Sequence, residues 1–529
     1  MTNILKELSR YKIGTYADII YRNALFYPER EAFIYGKERI TFSEFNVRAN
    51  SLIHALWSMG VKKGDVIGVL SWNCLEYLDV YGAAMKGGFI ISPFNVRLKT
   101  DELEYLINYS KANTLFVGPE MVELVNSLKP RLPGVKNFIS FEGPAPDMSC
   151  HRDLLVKYPR EEPDVQVTED DPLYIIYTSG TTGVPRGALF TQGRSREDIR
   201  TKVLEKALEP GDTYVILIPL FHVIVSEMLA LFYIGDRSII IKFFDPAATL
   251  QTIQDEKATD IFVVPTHLAA MLALPDVKKY DVSSVKRVSY GGSPIPVELL
   301  ERALKVFGSI FVQAYGQSEC SIITYLRRED HDVLDKSPED KKILNSCGRP
   351  CIDTHLRIVD DKGNDVETGE IGEIIILSKH NMIGFWEKPE DTAATIINEW
   401  VHTGDVGYCD EKGYVYIVDR KRDMIISGGE NVYSREVEAI LYQHPAVEEC
   451  AVIGVPDPYW VEHVHGVVVL KKGATLTPDE LIAFCKNRLA GYKAVKSVEI
   501  VDVLPKNASG KVLKKELRKK WEIKEAEKK

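Results

Sequence analysis

Several things are scarce in this 529-residue sequence, and each scarcity removes a class of protein. The eight cysteines are scattered, and the nearest two, Cys347 and Cys351, have no second pair beside them. That spacing offers neither a zinc site nor a disulfide framework, so a reducing compartment is expected. Positive charge is not in excess. The net charge is −10, which argues against general nucleic-acid binding. No repeat and no low-complexity block interrupts the chain. The most apolar window, Tyr214–Ile234, contains Pro219, His222, Ser226 and Glu227, all costly at a bilayer centre. A buried strand, loop and helix is expected there instead of a membrane span. The opening MTNILKELSR lacks the basic-then-apolar pattern of a secretory signal, and the closing EAEKK carries no lipidation or peroxisomal signal. Together these point to a cytoplasmic monomer or homodimer with no transmembrane segment and no nucleic-acid partner. Peripheral contact with a membrane surface stays open. G-x-x-x-x-G-K-[ST] is also missing, which excludes a P-loop nucleotidase.

One stretch is unusually rich. YIIYTSGTTGVPRGALF (Tyr174–Phe190) sets Thr178, Ser179, Thr181 and Thr182 among Gly180, Gly183 and Gly187, ends with Arg186, and follows an apolar strand-like run. Glycines let successive N–H groups converge on an anion, hydroxyls add donors, and an arginine matches phosphate oxygens. On composition alone a plain Gly/Ser/Thr surface loop would look similar.

Apolar periodicity alternates between helix-like and strand-like segments. Asn46–Met59 and Leu75–Met85 read as helices around a strand at Val66–Leu70. Further strands are expected at Tyr214–Ile218, Ser238–Phe244, Ile261–Val264, Val285–Tyr290 and Ile310–Ala314. Helices are expected at Glu227–Tyr233, Ala247–Asp255 and Pro296–Val306. This alternation predicts an α/β fold with helix-covered, mostly parallel sheets and ligands at the carboxyl ends of strands. After about residue 345, shorter strands with turns at Lys362-Gly363 and Lys412-Gly413 predict a β-rich subdomain. The last 110 or so residues suffice for a small α+β domain. The boundary is placed between residues 420 and 421, giving domains 1–420 and 421–529.

Other islands carry chemistry. YGGSP (Tyr290–Pro294) and QAYGQSE (Gln313–Glu319) each follow a strand, with glycines that admit a ligand and Tyr315 as a flat stacking face. Glu319 offers oxygens suited to Mg²⁺. HTGDVG puts Asp405 where a carboxylate can hold two ribose hydroxyls, with Arg420 fifteen residues on. Lys511 follows a glycine turn in PKNASGKVLKKELR. Taken singly, Glu319 reads as a helix N-terminal carboxylate, Asp405 as a turn residue and Lys511 as a surface lysine. His463-x-His465 reads as strand or turn histidines before it reads as a metal site. The run Lys486–Lys529, with 14 Lys/Arg against 6 Asp/Glu, reads equally as solvated helix surface or as a tail for anionic ligands.

The set as a whole resembles the adenylate-forming superfamily, which includes acyl-CoA synthetases, carrier-protein adenylation domains and firefly-type luciferases. YTSGTTGVPRG, YGQSE, HTGD, DMIISGGENVY and SGKVLKKELR stand in the family's order, and the resemblance runs from about Thr15 to Arg518. It implies a large N-terminal domain, a small mobile C-terminal one, and a two-step reaction. A carboxylic acid and ATP give acyl-AMP and pyrophosphate, and a thiol then takes the acyl group. By that resemblance Thr178, Ser179, Gly180, Thr181, Thr182, Gly183 and Arg186 hold the β- and γ-phosphates, and Thr178 with Glu319 supports Mg²⁺. Gly292, Ser293, Ala314 and Tyr315 contact adenine, Gln313 and Gly316 belong to the same cofactor-binding set, Ser318 meets the α-phosphate, and Asp405 with Arg420 binds ribose. Lys511 is the catalytic cation, Arg422 the hinge, and Gly428 and Gly429 line a thiol channel. His222 stands between the acid and nucleotide sites. The chain departs from the family pattern at Arg186, where lysine is usual, at Gln192, where histidine is frequent, and at Val461, where glycine is frequent. Val223, Ile224, Val225, Ile322 and Ile323 are apolar, and no charge is placed for an amino-acid substrate. A medium- or long-chain fatty acid is therefore expected first, with coenzyme A as acceptor. An aryl or cyclic acid, or a separate carrier protein as acceptor, remains the alternative.

Overall fold

The computed structural model describes residues 7–178, 185–222, 225–427, 430–457, 459–507 and 510–527. Packing divides the chain into two units, one of residues 1–356 and 376–401, the other of residues 357–375 and 402–529. The expected boundary between residues 420 and 421 is taken up with the proposed function.

The first unit holds two large sheets. Among the described residues the first runs, in spatial order, Gly384–Phe385, β2 (Arg186–Thr191), β1 (Pro172–Thr178), Ile90–Pro93, Val66–Leu70, Thr114–Val117, Asn137–Ser140 and Ser149–Cys150. The inner strands Val66–Leu70, Ile90–Pro93 and Thr114–Val117 are buried along their whole lengths, as parallel strands covered on both faces must be. The helix Leu75–Gly87 is buried at all thirteen positions and fills the space above them. Its neighbour Phe42–Ser58 starts on a capping box in which Thr41 and Glu44 satisfy each other's backbone N–H groups.

β1 and β2 are antiparallel, with Thr178 opposite Arg186. The hydroxyl-rich loop therefore joins two neighbouring strands of a hairpin instead of crossing over to a helix. α1 (Gln192–Glu205) follows β2 directly. The departure at Gln192 has a structural answer: its buried side chain accepts from the Tyr16 N–H at 3.1 Å and donates to the Met85 carbonyl at 2.9 Å. It ties the loop's exit strand to the N-terminal helices.

In the second sheet Thr213–Ile216, Arg237–Ile240, Asp260–Val263, β3 (Arg287–Gly291) and β4 (Phe311–Gln317) run parallel. β5 (Ser321–Leu326) turns back antiparallel to β4. α2 (Val225–Tyr233) comes between the first two of these strands in the chain. β4 begins at Phe311 and continues to Gln317, three residues beyond the expected end, because it pairs with β5 to form a hairpin.

The second unit contains most of β6 (Trp400–Cys409), which forms a hairpin with β7 (Val415–Arg420) through the expected turn at Gly413. Beyond it, Val447–Asp457 and Val461–Leu470 pair antiparallel around a core of Ile425, Val432, Val437, Leu441, Val452, Val464, Val468 and Leu481. Val461 sits at φ +69°, a conformation that disfavours a β-branched residue and explains the frequent glycine at that place. His463 and His465 both meet the Ser497 hydroxyl, at 2.9 and 2.7 Å, and His463 also pairs with Asp457 at 3.0 Å. They are strand histidines that share the Ser497 hydroxyl. In the basic terminus Lys493 pairs with Glu436, Lys506 with Glu449, Lys514 with Glu438 and Arg518 with Asp423. Among the described residues no helix is long and apolar enough to cross a membrane.

The β4–β5 hairpin tolerates no side chain at Gly316, where a Cβ would lie 1.8 Å from the Ser321 carbonyl oxygen. We predict that Gly316→Ala destabilises the protein by about 2 kcal/mol or more, because backbone and not a flexible side chain would have to move. Chemical denaturation checks this through a lowered midpoint at unchanged slope.

Candidate functional site

In the first unit the expected site residues gather at strand ends. Thr178 closes β1 with its hydroxyl buried and without a hydrogen-bond partner among the described residues. Opposite it, the Arg186 guanidinium lies over the Phe385 ring at 4.2 Å and faces Asp391 at 3.7 Å. Its Nε is buried and equally unpartnered among the described residues. A buried donor left unsatisfied costs about 1–3 kcal/mol, so this pair is prepared for an oxygen-rich ligand. Ser179, Gly180, Thr181, Thr182 and Gly183, like Gly428 and Gly429, lie outside the described residues.

β3 and β4 end side by side, with Gly291 paired to Ala314 and Tyr290 to Gln313. A Cβ at Gly291 would lie 2.4 Å from the Ala314 carbonyl, and Gly292 turns the chain out at φ +80°. Ser293 beyond it is exposed. Tyr315, half-buried, and Gly316, exposed, thus stand next to an open strand end. Ser318 and Glu319 occupy the turn between β4 and β5, both half-buried, and the Glu319 carbonyl accepts from the Met382 N–H at 2.9 Å. Glu319 is a hairpin-turn carboxylate, not a helix N-terminal one. His222 precedes α2, packs its ring against Phe221 at 4.8 Å, and has its pKa pushed down to about 4 by burial and by Arg97. It is a neutral imidazole at physiological pH.

In the second unit three residues far apart in sequence converge. Asp405, 2% exposed on β6, faces Arg420 at the end of β7, with Nε 2.5 Å from Oδ1. Lys511 stands within electrostatic reach of both. Although much of its side chain is open to solvent, desolvation of the ammonium, with repulsion from Arg420 and Arg422, pushes its pKa down to about 8 against the pull of Asp405. Arg422 lies in the single 3₁₀ turn Lys421–Asp423, between β7 and the strand Ile425–Ser427. A hydrogen bond spans it: Asp419 before the turn accepts from the hydroxyl of Ser434 after it at 2.7 Å.

Sequence reading missed the cations around Lys511, since only the fold brings residues 420, 422 and 511 together. It also missed the buried cluster in which Lys202 of α1 donates to Asp198, Ser226 and Ser321. For Mg²⁺ the donors are of the right kind: the half-buried Glu319 carboxylate and the unpartnered Thr178 hydroxyl are hard oxygens.

The first unit thus holds glycine-shaped strand ends with unpartnered buried donors, and the second a carboxylate–arginine–lysine group. Comparison with known proteins gives the family. Residues 20–386 match the AMP-binding enzyme family and residues 436–511 match the AMP-binding enzyme C-terminal domain. A feruloyl-CoA synthase of an Amycolatopsis species is 38% identical over 94% of this chain and 98% of its own. A medium/long-chain-fatty-acid–CoA ligase of Mycobacterium tuberculosis is 34% identical over 92% of this chain and 87% of its own. The solved structure of o-succinylbenzoate CoA synthetase from Bacillus subtilis, with its acyl-adenylate, superimposes with a TM-score of 0.83 at 30% identity, covering 94% of this chain and 97% of that one. The chain belongs to the AMP-binding enzyme family, in its acyl-CoA synthetase branch. It is an AMP-forming acid–CoA ligase, a class that uses ATP, Mg²⁺ and coenzyme A.

The lowered pKa of Lys511 can be read directly. We predict that its amine acylates with a midpoint near pH 8, well below the ordinary lysine value of 10.5. Arg422→Gln removes a repelling charge and moves that midpoint upward. Mass-spectrometric labelling of Lys511 across pH measures both, and a midpoint insensitive to the substitution contradicts this origin.

Proposed function

We propose that this protein couples an aromatic carboxylic acid to coenzyme A through an acyl-adenylate. The observation that carries the choice of acid is the 38% identity, over nearly the whole chain, to feruloyl-CoA synthases. A fatty acid is the second reading, favoured by the 34% identical fatty-acid ligase and by the apolar Val225, Ile322 and Ile323. Apolar walls suit either acid and contribute roughly 0.8 kcal/mol per buried methylene.

The acid is already ionised at neutral pH, so the chain has no need of a general base. Its task is to hold two anions together and relieve their repulsion. Arg186, Thr178 and the loop through Gly183 hold the β- and γ-phosphates. Mg²⁺, supported by Thr178 and Glu319, supplies charge neutralisation on the phosphate oxygens. Gly292, Ser293, Gln313, Ala314, Tyr315 and Gly316 receive the adenine, and Ser318 the α-phosphate. Asp405, with one oxygen steadied by Arg420, takes the ribose hydroxyls. His222, neutral, borders the acid without adding charge. Lys511 spans carboxylate and α-phosphate. The anions that arrive there raise its pKa again, so its proton is held most firmly when the charge must be balanced.

For the thiol step, residues 421–529 turn about Arg422, take Lys511 away and bring Gly428 and Gly429 to the pantetheine arm. The short 3₁₀ turn at 421–423 suits a hinge, and the Asp419–Ser434 hydrogen bond that spans it would have to break in the rotation. A reducing, cytoplasmic setting and a monomer or homodimer belong to this proposal.

Lys511→Ala should lower acid-dependent ATP–pyrophosphate exchange by about 10² to 10³ while leaving the thermal midpoint in place. Arg422→Pro should spare that exchange and cripple transfer from preformed acyl-adenylate to coenzyme A. Measuring the two half-reactions separately, with cinnamate, benzoate and dodecanoate as acids, tests the roles and the acid class together. Wild-type exchange in the lysine variant, or equal loss of both steps in the proline variant, removes the assignment.

A further inference from the structure

Ser434 opens the helix Ser434–Tyr442 and is fully buried. Its hydroxyl donates to Asp419 Oδ2 at 2.7 Å and accepts from the Lys514 ammonium at 2.5 Å. Asp419, 1% exposed near the end of β7, also accepts from the Arg420 N–H at 2.7 Å and the Arg435 N–H at 3.3 Å. Lys514 begins the helix Lys514–Glu527, three residues after Lys511, and pairs with Glu438 at 2.7 Å. Glu438 is tied in turn to the strand Val447–Asp457, accepting from the Val452 N–H at 2.8 Å.

These bonds fall on both sides of Arg422. Ser434, Glu438 and Lys514 lie beyond it and travel together if residues 421–529 turn, so their mutual bonds survive the rotation. Asp419 lies before it, so the bonds from Ser434 and Arg435 to its carboxylate do not survive. The unbroken state is also the one that keeps Lys511 within electrostatic reach of Asp405 and Arg420. Lys421 reaches back across the same boundary, to Asp361 at 2.9 Å and Glu373 at 3.1 Å, but its side chain is 45% exposed. Exposed pairs of that kind contribute little. A buried hydroxyl held between a carboxylate and an ammonium is stronger, because charge on a partner roughly doubles a hydrogen bond.

We infer that Ser434 is a positioning residue: its hydroxyl latches residues 421–529 to Asp419 in the orientation that serves adenylation, and so keeps the state that accepts coenzyme A in the minority. The inference rests on the hinge proposed above and deepens it. A ligand that binds only one of two states has its apparent affinity reduced by the fraction of protein in that state. Weakening the latch therefore raises the apparent affinity for coenzyme A without altering any group that touches a substrate. Adenylation changes little, since a several-fold gain in a minor state barely depletes the major one.

The test measures transfer from preformed acyl-adenylate to coenzyme A in the wild type, Ser434→Ala and Asp419→Asn. The acid is whichever of cinnamate, benzoate and dodecanoate the enzyme accepts, and pyrophosphate exchange and thermal midpoints are measured alongside. Ser434→Ala should lower the half-saturating coenzyme A concentration by about fivefold and change exchange by less than about twofold. Asp419→Asn, which keeps the shape and loses the charge, should move it the same way. A merely structural serine cannot produce that gain, because its loss lowers the thermal midpoint and both half-reactions together. Joint loss of that kind in both variants, or an unchanged or raised half-saturation in Ser434→Ala, overturns the inference. The hinge reading stands apart: it falls only if Arg422→Pro loses both half-reactions equally.

Discussion

An ionised carboxylate has to approach a polyphosphate, and everything else in the site follows from that repulsion. The protein meets it with donors that are buried and not consumed by the fold. The Arg186 Nε and the Thr178 hydroxyl lack partners among the described residues. Lys511 is the complementary case. Crowded by Arg420 and Arg422, it holds its proton loosely until anions arrive, at which point the same crowding becomes an attraction for the ligand. Arginine at position 186 suits this arrangement. Its flat guanidinium rests on Phe385 and keeps its direction, which a lysine could not do as well.

The scaffold makes the positions exact by removing side chains. At the ends of β3 and β4, Gly291 packs against the Ala314 carbonyl and Gly292 turns away at positive φ, so backbone lines the opening where a base would lie. The β4–β5 hairpin then carries Ser318 and Glu319 in its turn, and the β6–β7 hairpin sets Asp405 opposite Arg420. Hairpins fix pairs of residues in register, which helices of comparable length would not do across so short a loop.

What the sequence disclosed follows the range of the forces involved. Loops rich in glycine and hydroxyls were legible because their chemistry is local, and strands such as Val66–Leu70 were legible because burial on both faces leaves a continuous apolar run. Sheet order was not, since the pairing of β1 with β2 and the placement of Glu31–Tyr35 beside Arg237–Ile240 depend on contacts far apart in the chain. The burial of α1 was not legible either, for a related reason. Asp198, Thr201 and Lys202 look like a solvated helix face, and only the serines supplied by α2 and β5 make their burial tolerable. The depressed Lys511 likewise required residues about ninety positions away.

The central claim is that the unpartnered donors at the β1–β2 hairpin exist to take phosphate. Calorimetric titration of the full chain with Mg·ATP, before and after substituting Arg186→Ala, tests it most directly. The account predicts saturable uptake that the substitution weakens by about tenfold or more, as expected for a charge-assisted contact. No heat of binding in the unaltered protein, or an affinity that ignores the loss of the guanidinium, would contradict it.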